Sequence, residues 1–169
     1  MDNEILFTER QKFSQWWLWL ILLGVNAISI FSVYKQVITE QAFGENPISI
    51  GLFLMTGMTL LVTVLFMNCQ LNTIIKKDGI YVRFFPFQLK FRYYNWDSLI
   101  KSFVRQYSPL LEYGGWGLRF GIFGKGTAFN VSGDQGLQLE FVNGKKLLIG
   151  TSKPKELTET LHKLGQVKR

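Results

Sequence analysis

Few side chains in this 169-residue chain could do chemistry, and their types and spacing exclude most of it. Cys69 is the only cysteine and His162 the only histidine. A lone thiol excludes a disulfide scaffold, a CxxC redox pair and a zinc ribbon. A lone imidazole, placed by its spacing on the polar side of a terminal helix, offers neither a metal-ligand set nor a base paired with a nucleophile. The carboxylates Asp97, Glu112, Asp134 and Glu140 are scattered, and no partner beside them would shift a pKa for acid–base work. Asp97 and Asp134 stand in turn contexts (NWDS and SGDQ), where Asp serves the backbone. No enzymatic activity, cofactor or metal is expected from this set.

Three other groupings carry more information. The glycine-rich stretch GGWGLRFGIFGKG, residues 114–126, invites comparison with phosphate-binding loops. Lys125 follows Gly124, but residue 126 is Gly where the P-loop pattern needs Ser or Thr. GxGxxG also fails, because Phe120 stands at the last glycine position. The stretch is expected to bend a sheet or allow close backbone approach. Tyr107, Tyr113, Trp116, Arg119 and Asn130 form the most distinctive polar–aromatic set, which can either stack and hydrogen-bond a ligand or brace a long loop. The third grouping is basic: Lys76 and Lys77, Lys90 and Arg92, Lys145 and Lys146.

Positioning these residues requires elements of two kinds. Hydrophobic residues make up 47% of the chain and charged residues 18%, below the ~25% of an ordinary soluble domain. Residues 13–34 (FSQWWLWLILLGVNAISIFSVY) and 48–69 (ISIGLFLMTGMTLLVTVLFMNC) contain no charge. Each is long enough for a helix across a ~30 Å hydrocarbon core. Trp16, Trp17, Trp19 and Tyr34 sit at the ends of the first run, as interfacial aromatics do. Its leader holds Glu4 and Glu9, and no A-x-A site follows, so a retained anchor is expected rather than a cleaved signal. Residues 35–47 form a short connection, so the two spans make an antiparallel hairpin. Arg10 and Lys12 before the first span and Lys76 and Lys77 after the second, against Lys35 alone in the connection, predict cytoplasmic termini. Asn26, Ser29 and Ser32 share a face of the first span and are expected to hold the hairpin, or a homo-oligomer of hairpins, together. Neither span contains an ionisable group of the kind transport pathways use.

The charge divides with the texture. Residues 1–69 hold three bases and five acids, net −2, and residues 70–169 hold sixteen bases and seven acids, net +9. From residue 70 the periodicity falls to two, predicting about seven antiparallel strands. Asp78-Gly79 and Asn143-Gly144 mark hairpins, the glycine accepting φ > 0. Alternation in Leu89–Tyr93 predicts a strand with one buried face, as does that in Gly136–Phe141. Ile100–Tyr107, Trp116–Phe123, Thr127–Val131 and Lys145–Gly150 complete the set. Leu157, Leu161 and Leu164 recur at helical spacing behind Pro154, giving a terminal amphipathic helix.

On YSPLLEYGGWGLR (107–119), AFN (128–130), GKKLLIGT (144–151) and KPKEL (153–157), and on this order of elements, the chain resembles a group of bacterial membrane proteins. In that group two transmembrane helices precede a pleckstrin-homology-like (PH-like) domain. The resemblance implies an α+β membrane protein: a cytoplasmic segment 1–12, spans 13–34 and 48–69, a non-cytoplasmic loop 35–47 and a PH-like cytoplasmic domain 70–169. It implies location at the bacterial inner membrane, and it implies a fold rather than a reaction. Phosphoinositide-binding PH domains use a lysine in the first hairpin with a later [KR]-x-R. Here Lys76 or Lys77 with Lys90-Phe-Arg92 matches at a longer spacing, so general attraction to anionic lipid head groups is preferred to head-group recognition. The expected role is a non-enzymatic binding or scaffolding module that meets a partner protein or the anionic leaflet. The alternative is an accessory subunit docked on a larger membrane complex through its hairpin. Nucleic acid is not expected as a partner, since the aromatics sit mostly at strand-core parity.

Overall fold

The structure is a computed structural model that describes residues 4–38, 47–121 and 124–168. Most of the connection expected at 35–47 and the end of the strand expected at 116–123 lie outside the described residues. The chain forms two compact units, one of residues 14–68 and one joining the segment up to Phe13 with everything from Cys69 onward.

The helical unit consists of α1 (Trp16–Ile38) and α2 (Pro47–Asn68). The 23 residues of α1 rise ~35 Å at 1.5 Å per residue. Both helices are long and apolar enough to cross a membrane, and almost nothing covers them: only 6% of each apolar window is buried. Asn26 in α1 and Thr56 in α2 are the buried exceptions among the described residues, and Asn26 bridges the two helices. Its amide donates to the Leu22 carbonyl and to Thr63 Oγ1, each at 2.7 Å, and Thr63 donates in turn to the Thr59 carbonyl. Of the three residues expected on one face, Asn26 thus joins α1 to α2, whereas Ser32 turns back to the Ile28 carbonyl of its own helix.

The second unit is two sheets and two helices. Sheet A runs β1–β2–β3–β4, all antiparallel: β1 (Ile5–Lys12), β2 (Gln70–Lys76), β3 (Gly79–Phe85) and β4 (Arg92–Asn95). A 3-10 turn, Trp96–Ser98, passes the chain to sheet B and anchors through Trp96 Nε1, which donates to the Lys76 carbonyl. Sheet B has the order β5–β8–β9–β7–β6. Its strands are β5 (Leu99–Gln106), β6 (Gly117–Phe120), β7 (Thr127–Asn130), β8 (Gln135–Phe141) and β9 (Lys146–Gly150). A short α3 (Pro109–Tyr113) follows β5, and α4 (Pro154–Lys163) follows β9. The core is formed by Leu71, Ile75, Ile80, Val82 and Phe84 from sheet A with Phe129, Leu137, Leu139, Leu148 and Ile149 from sheet B. From α4 it takes Leu157 and Leu161, each worth roughly 1.5–3 kcal/mol of burial.

Several expectations need correction. Among the described residues eight strands lie from residue 70 onward, close to the seven expected there, but they are not all antiparallel, because β7 pairs parallel with β9. Residues 1–12 are more than a leader: β1 pairs with β2 from Lys12↔Gln70 to Ile5↔Lys76. The α1–α2 hairpin is therefore inserted between two paired strands, which places both of its ends on one unit. Alternation in β1 does not read as a buried strand, since its inward residues are Phe7, Glu9 and Gln11. The two polar ones are satisfied by distant groups. Thr151 Oγ1, Ser152 N and Ser152 Oγ donate to the Glu9 carboxylate at 2.6, 2.7 and 2.5 Å, and Gln11 Nε2 donates to the Gly150 carbonyl at 2.7 Å.

Leu89–Tyr93 fails in the opposite sense. The chain turns after Phe85, the strand begins only at Arg92, and Leu89, Phe91 and Tyr93 all face outward. Among the described residues no layer packs over that side. Gly79 does not adopt the positive φ expected of a hairpin glycine. It lies in β3, where a Cβ would strike the Tyr94 carbonyl and come within 2.7 Å of the Tyr93 ring.

Candidate functional site

The set Tyr107, Tyr113, Trp116, Arg119 and Asn130 is assembled by the irregular stretch around α3 and by the start of β6. Ser108 caps α3, and the chain leaves it through Gly114 at φ 68°. Tyr107 and Tyr113 are buried with rings edge to face, centroids 5.9 Å apart. Asn130, fully buried, donates from Nδ2 to the Tyr107 hydroxyl at 3.1 Å and accepts from the Gly117 N–H at 2.9 Å. Trp116 Nε1 donates to the Gly133 carbonyl and Arg119 Nε to the Trp116 carbonyl. These polar groups bond to one another or to nearby backbone, so the set ties β5, α3, β6 and β7 together. Burial pushes the Tyr107 phenol up to about 12, so it stays protonated at any physiological pH.

Glu112 joins the same brace. Arg105 grips it with two bonds of 3.1 and 2.8 Å while Ser108 N–H donates to it. That guanidinium first, helped by the Ser108 bond and nearby Lys125, holds the carboxyl below its usual range. Glu112 and Asp134 are thus engaged locally, Asp134 accepting from Gln106 Nε2 at 2.6 Å. Substituting Tyr107→Phe is expected to cost about 1–3 kcal/mol, because the buried Asn130 amide loses its acceptor. Thermal unfolding of the detergent-solubilised chain measures this; an unchanged transition would show the bond to be idle.

A cleft appears elsewhere, where sheet A meets sheet B. It encloses about 560 Å³ between Arg92 and Tyr94 of β4, Phe141 at the end of β8, the Gly144–Leu147 segment, and Gly124, Gly126, Thr127 and Phe129. Tyr94 and Phe141 stack obliquely at 5.4 Å to form an apolar wall. Burial pushes the Tyr94 phenol up, against a hydrogen bond from Arg92 that pulls it down. Three bases converge on the opening. Arg92, Lys145 and Lys146 are exposed, and Lys146 leans on Glu140 at 3.7 Å. Gly126 makes the close fit between β7 and β9: its φ is +83°, and a Cβ there would strike the Lys146 carbonyl. The tail of the glycine-rich stretch therefore does let backbones approach.

The other expected bases are placed differently. Lys77 pairs with Glu4 at 3.1 Å, and the Lys76 ammonium sits 5.0 Å over the Tyr81 ring. Both close the far end of β2, some ~20 Å along the strand from Gln70 at 3.3 Å per residue. Lys90 lies in the β3–β4 connection, exposed. Tyr94, Phe141 and Thr127 of the cleft carry no signal in the sequence, because each is an ordinary strand residue until β4 and β9 are seen to line one cleft.

No family model, curated protein or solved structure matches this chain. Its class is therefore defined by its own geometry: an α+β protein in which two long apolar helices interrupt the first hairpin of a two-sheet unit that carries a basic cleft.

Proposed function

We propose that this chain is a non-enzymatic, membrane-anchored binding module whose cleft takes an acidic segment of a partner protein. The observation that carries the reading is the convergence of Arg92, Lys145 and Lys146 from both sheets on one cleft with an aromatic wall. A guanidinium and two ammoniums offer charge-assisted bonds to carboxylates, and Tyr94 and Phe141 offer apolar contact to the chain between them. The α1–α2 hairpin serves as the anchor in the bacterial inner membrane. Since β1 and β2 pair, both ends of the hairpin return to one side. The bias of Arg10, Lys12, Lys76 and Lys77 over Lys35 favours the cytoplasm for that side, because the bias acts on the chain during insertion rather than on the folded unit. Two sheets closed by a C-terminal helix support a PH-like relationship, from which β1 and the parallel β7–β9 pair depart.

The test uses the full chain in nanodiscs of neutral phosphatidylcholine, titrated with a fluorescent hexaglutamate peptide. Wild type is expected to bind with an affinity that falls as salt rises. The triple variant Arg92→Ala/Lys145→Ala/Lys146→Ala is expected to bind about tenfold more weakly or worse, at up to ~1 kcal/mol per exposed pair. Equal binding by both proteins, or none by wild type, removes the cleft as the binding face. Discs containing anionic lipid test the leaflet as the second reading, which is favoured by Arg10, Lys12 and Lys90 at the end of sheet A where the helices join. Peptide binding that persists in those discs would overturn the leaflet as the partner of Arg92, Lys145 and Lys146.

A further inference from the structure

We propose that the β3–β4 connection is a second membrane contact, in which Phe87, Leu89 and Phe91 seat in the lipid interface beside the helical hairpin. This rests on the reading of α1 and α2 as membrane spans.

Register locates the connection. Lys12 stands opposite Gln70 and Gln70 opposite Phe85, so the last residue of β1, the first of β2 and the last of β3 form one row across sheet A. The chain leaves that row for α1 at Trp16, four residues beyond Lys12, and comes back from α2 at Asn68, two residues before Gln70. At ~4.8 Å per strand the row spans only about 10 Å. The β3–β4 connection starts directly from it.

Its side chains are apolar where water would be expected. Phe87 is 61% exposed and Leu89 73%, with Phe91 beside them at 38%. The connection is also held in shape. Gln88 turns inward, its N–H donating to the Phe84 carbonyl at 2.8 Å and its Oε1 accepting from Phe84 N at 3.3 Å. The Phe87 ring packs on Phe84 at 5.9 Å, and the Arg83 guanidinium lies 4.6 Å over the Phe91 ring. Inward Gln88 between outward Phe87 and Leu89 makes a built apolar tip.

Charge points to the same occupant. Lys90 in the tip and Arg10 and Lys12 at the end of β1 are exposed, while Glu4 and Asp78 lie at the opposite end of the sheet, next to Lys76 and Lys77. Apolar and aromatic side chains rimmed by bases match the boundary between acyl chains and phosphate head groups. Continuity with the hairpin junction selects a bilayer over a protein as the surface that covers the tip.

The test places an environment-sensitive fluorophore on single cysteines in the full chain, with Cys69→Ala removing the native thiol, in vesicles of phosphatidylcholine and phosphatidylglycerol. The three sites are Leu89→Cys in the tip, Leu54→Cys within α2, and Lys77→Cys at the far end of β2. Labels at 54 and 89 are expected to show blue-shifted emission and severalfold stronger quenching by lipid-borne nitroxide than the label at 77, which aqueous iodide should reach freely. If 54 reports lipid while 89 behaves like 77, the tip is in water and the proposal is overturned. If 89 is shielded from iodide yet untouched by lipid nitroxide, protein covers the tip and the proposal is likewise overturned. If 54 itself reports water, the spanning reading fails, and the proposal falls with it.

Discussion

A chain lacking residues 1–12 is expected to lose cooperative folding of its two-sheet unit, although everything removed precedes the first helix. Deleting β1 strips β2 of the partner it holds along its whole length. It also uncovers the space filled by Phe7, whose burial is worth roughly 1.5–3 kcal/mol. The larger loss comes from Glu9. Its buried carboxylate accepts three bonds from Thr151 and Ser152, at the junction between β9 and α4. Hydrogen bonds to a charged group contribute about 1.5–3 kcal/mol each. Set against a typical total stability of about 5–15 kcal/mol, these losses are of the same size as the whole. Glu9→Ala alone is the graded version. It is expected to cost at least about 3 kcal/mol, because the Ser152 N–H and the Thr151 hydroxyl lose their acceptor while remaining enclosed. Denaturant unfolding of the solubilised chain, followed by near-ultraviolet circular dichroism, reads both. Coincident transitions for the wild type and the shortened chain would show that β1 is dispensable. A fragment beginning at residue 70 is expected to fail for the same reason, so binding experiments need the intact chain.

Gly126→Ala is expected to be the most damaging single methyl group in the cleft. The backbone there sits at φ +83°, a conformation that costs an L-residue about 1–2 kcal/mol. The added Cβ would also strike the Lys146 carbonyl and lie 2.7 Å from the Lys146 carbonyl carbon. Backbone cannot yield as a side chain does, so β7 must move away from β9. Their parallel pairing starts at the next residue, Thr127↔Leu147. Separation would open the cleft and displace Lys146, so hexaglutamate binding should fall with stability. Gly144 provides the control. It lines the same cleft at φ +77° but has nothing within 4 Å of an added Cβ. Gly144→Ala should therefore show the conformational cost alone. Equal destabilisation by the two substitutions would mean that the contact with Lys146 is not tight.

The helices, the hairpin at Asn143-Gly144 and the strands β8 and β9 could be read from the residues because each depends on neighbours within a few positions. An uncharged run of about twenty residues has few alternatives to a long apolar helix, and the structure places α1 and α2 within a few residues of the runs 13–34 and 48–69. Leu157 and Leu161 meet the core on the face their spacing predicts, while Leu164 falls at the C-cap and is half-buried. Periodicity misled where burial was decided at a distance. Leu89–Tyr93 alternates like a half-buried strand, yet among the described residues Leu89, Phe91 and Tyr93 all remain exposed. In β1, Glu9 and Gln11 look like surface residues, but they are buried because groups some 140 positions away satisfy them.

The same distinction separates the two candidate sites. Tyr107, Tyr113 and Asn130 stood out as residue types, but whether they face a ligand or one another depends on where β7 lies, and the structure turns them toward one another. The cleft bases were visible as Arg92 and as Lys145-Lys146, some fifty residues apart, with no local feature joining them. By itself the sequence determined two apolar helices, a β-rich basic remainder and a closing amphipathic helix, since length, period and turn chemistry act over one or two turns of chain. Only the tertiary structure decided that the first strand precedes the helices, that β7 and β9 run parallel, and that three bases share a cleft. Those outcomes depend on pairings between distant segments, whose free energy is set by the partner and not by the residues alone.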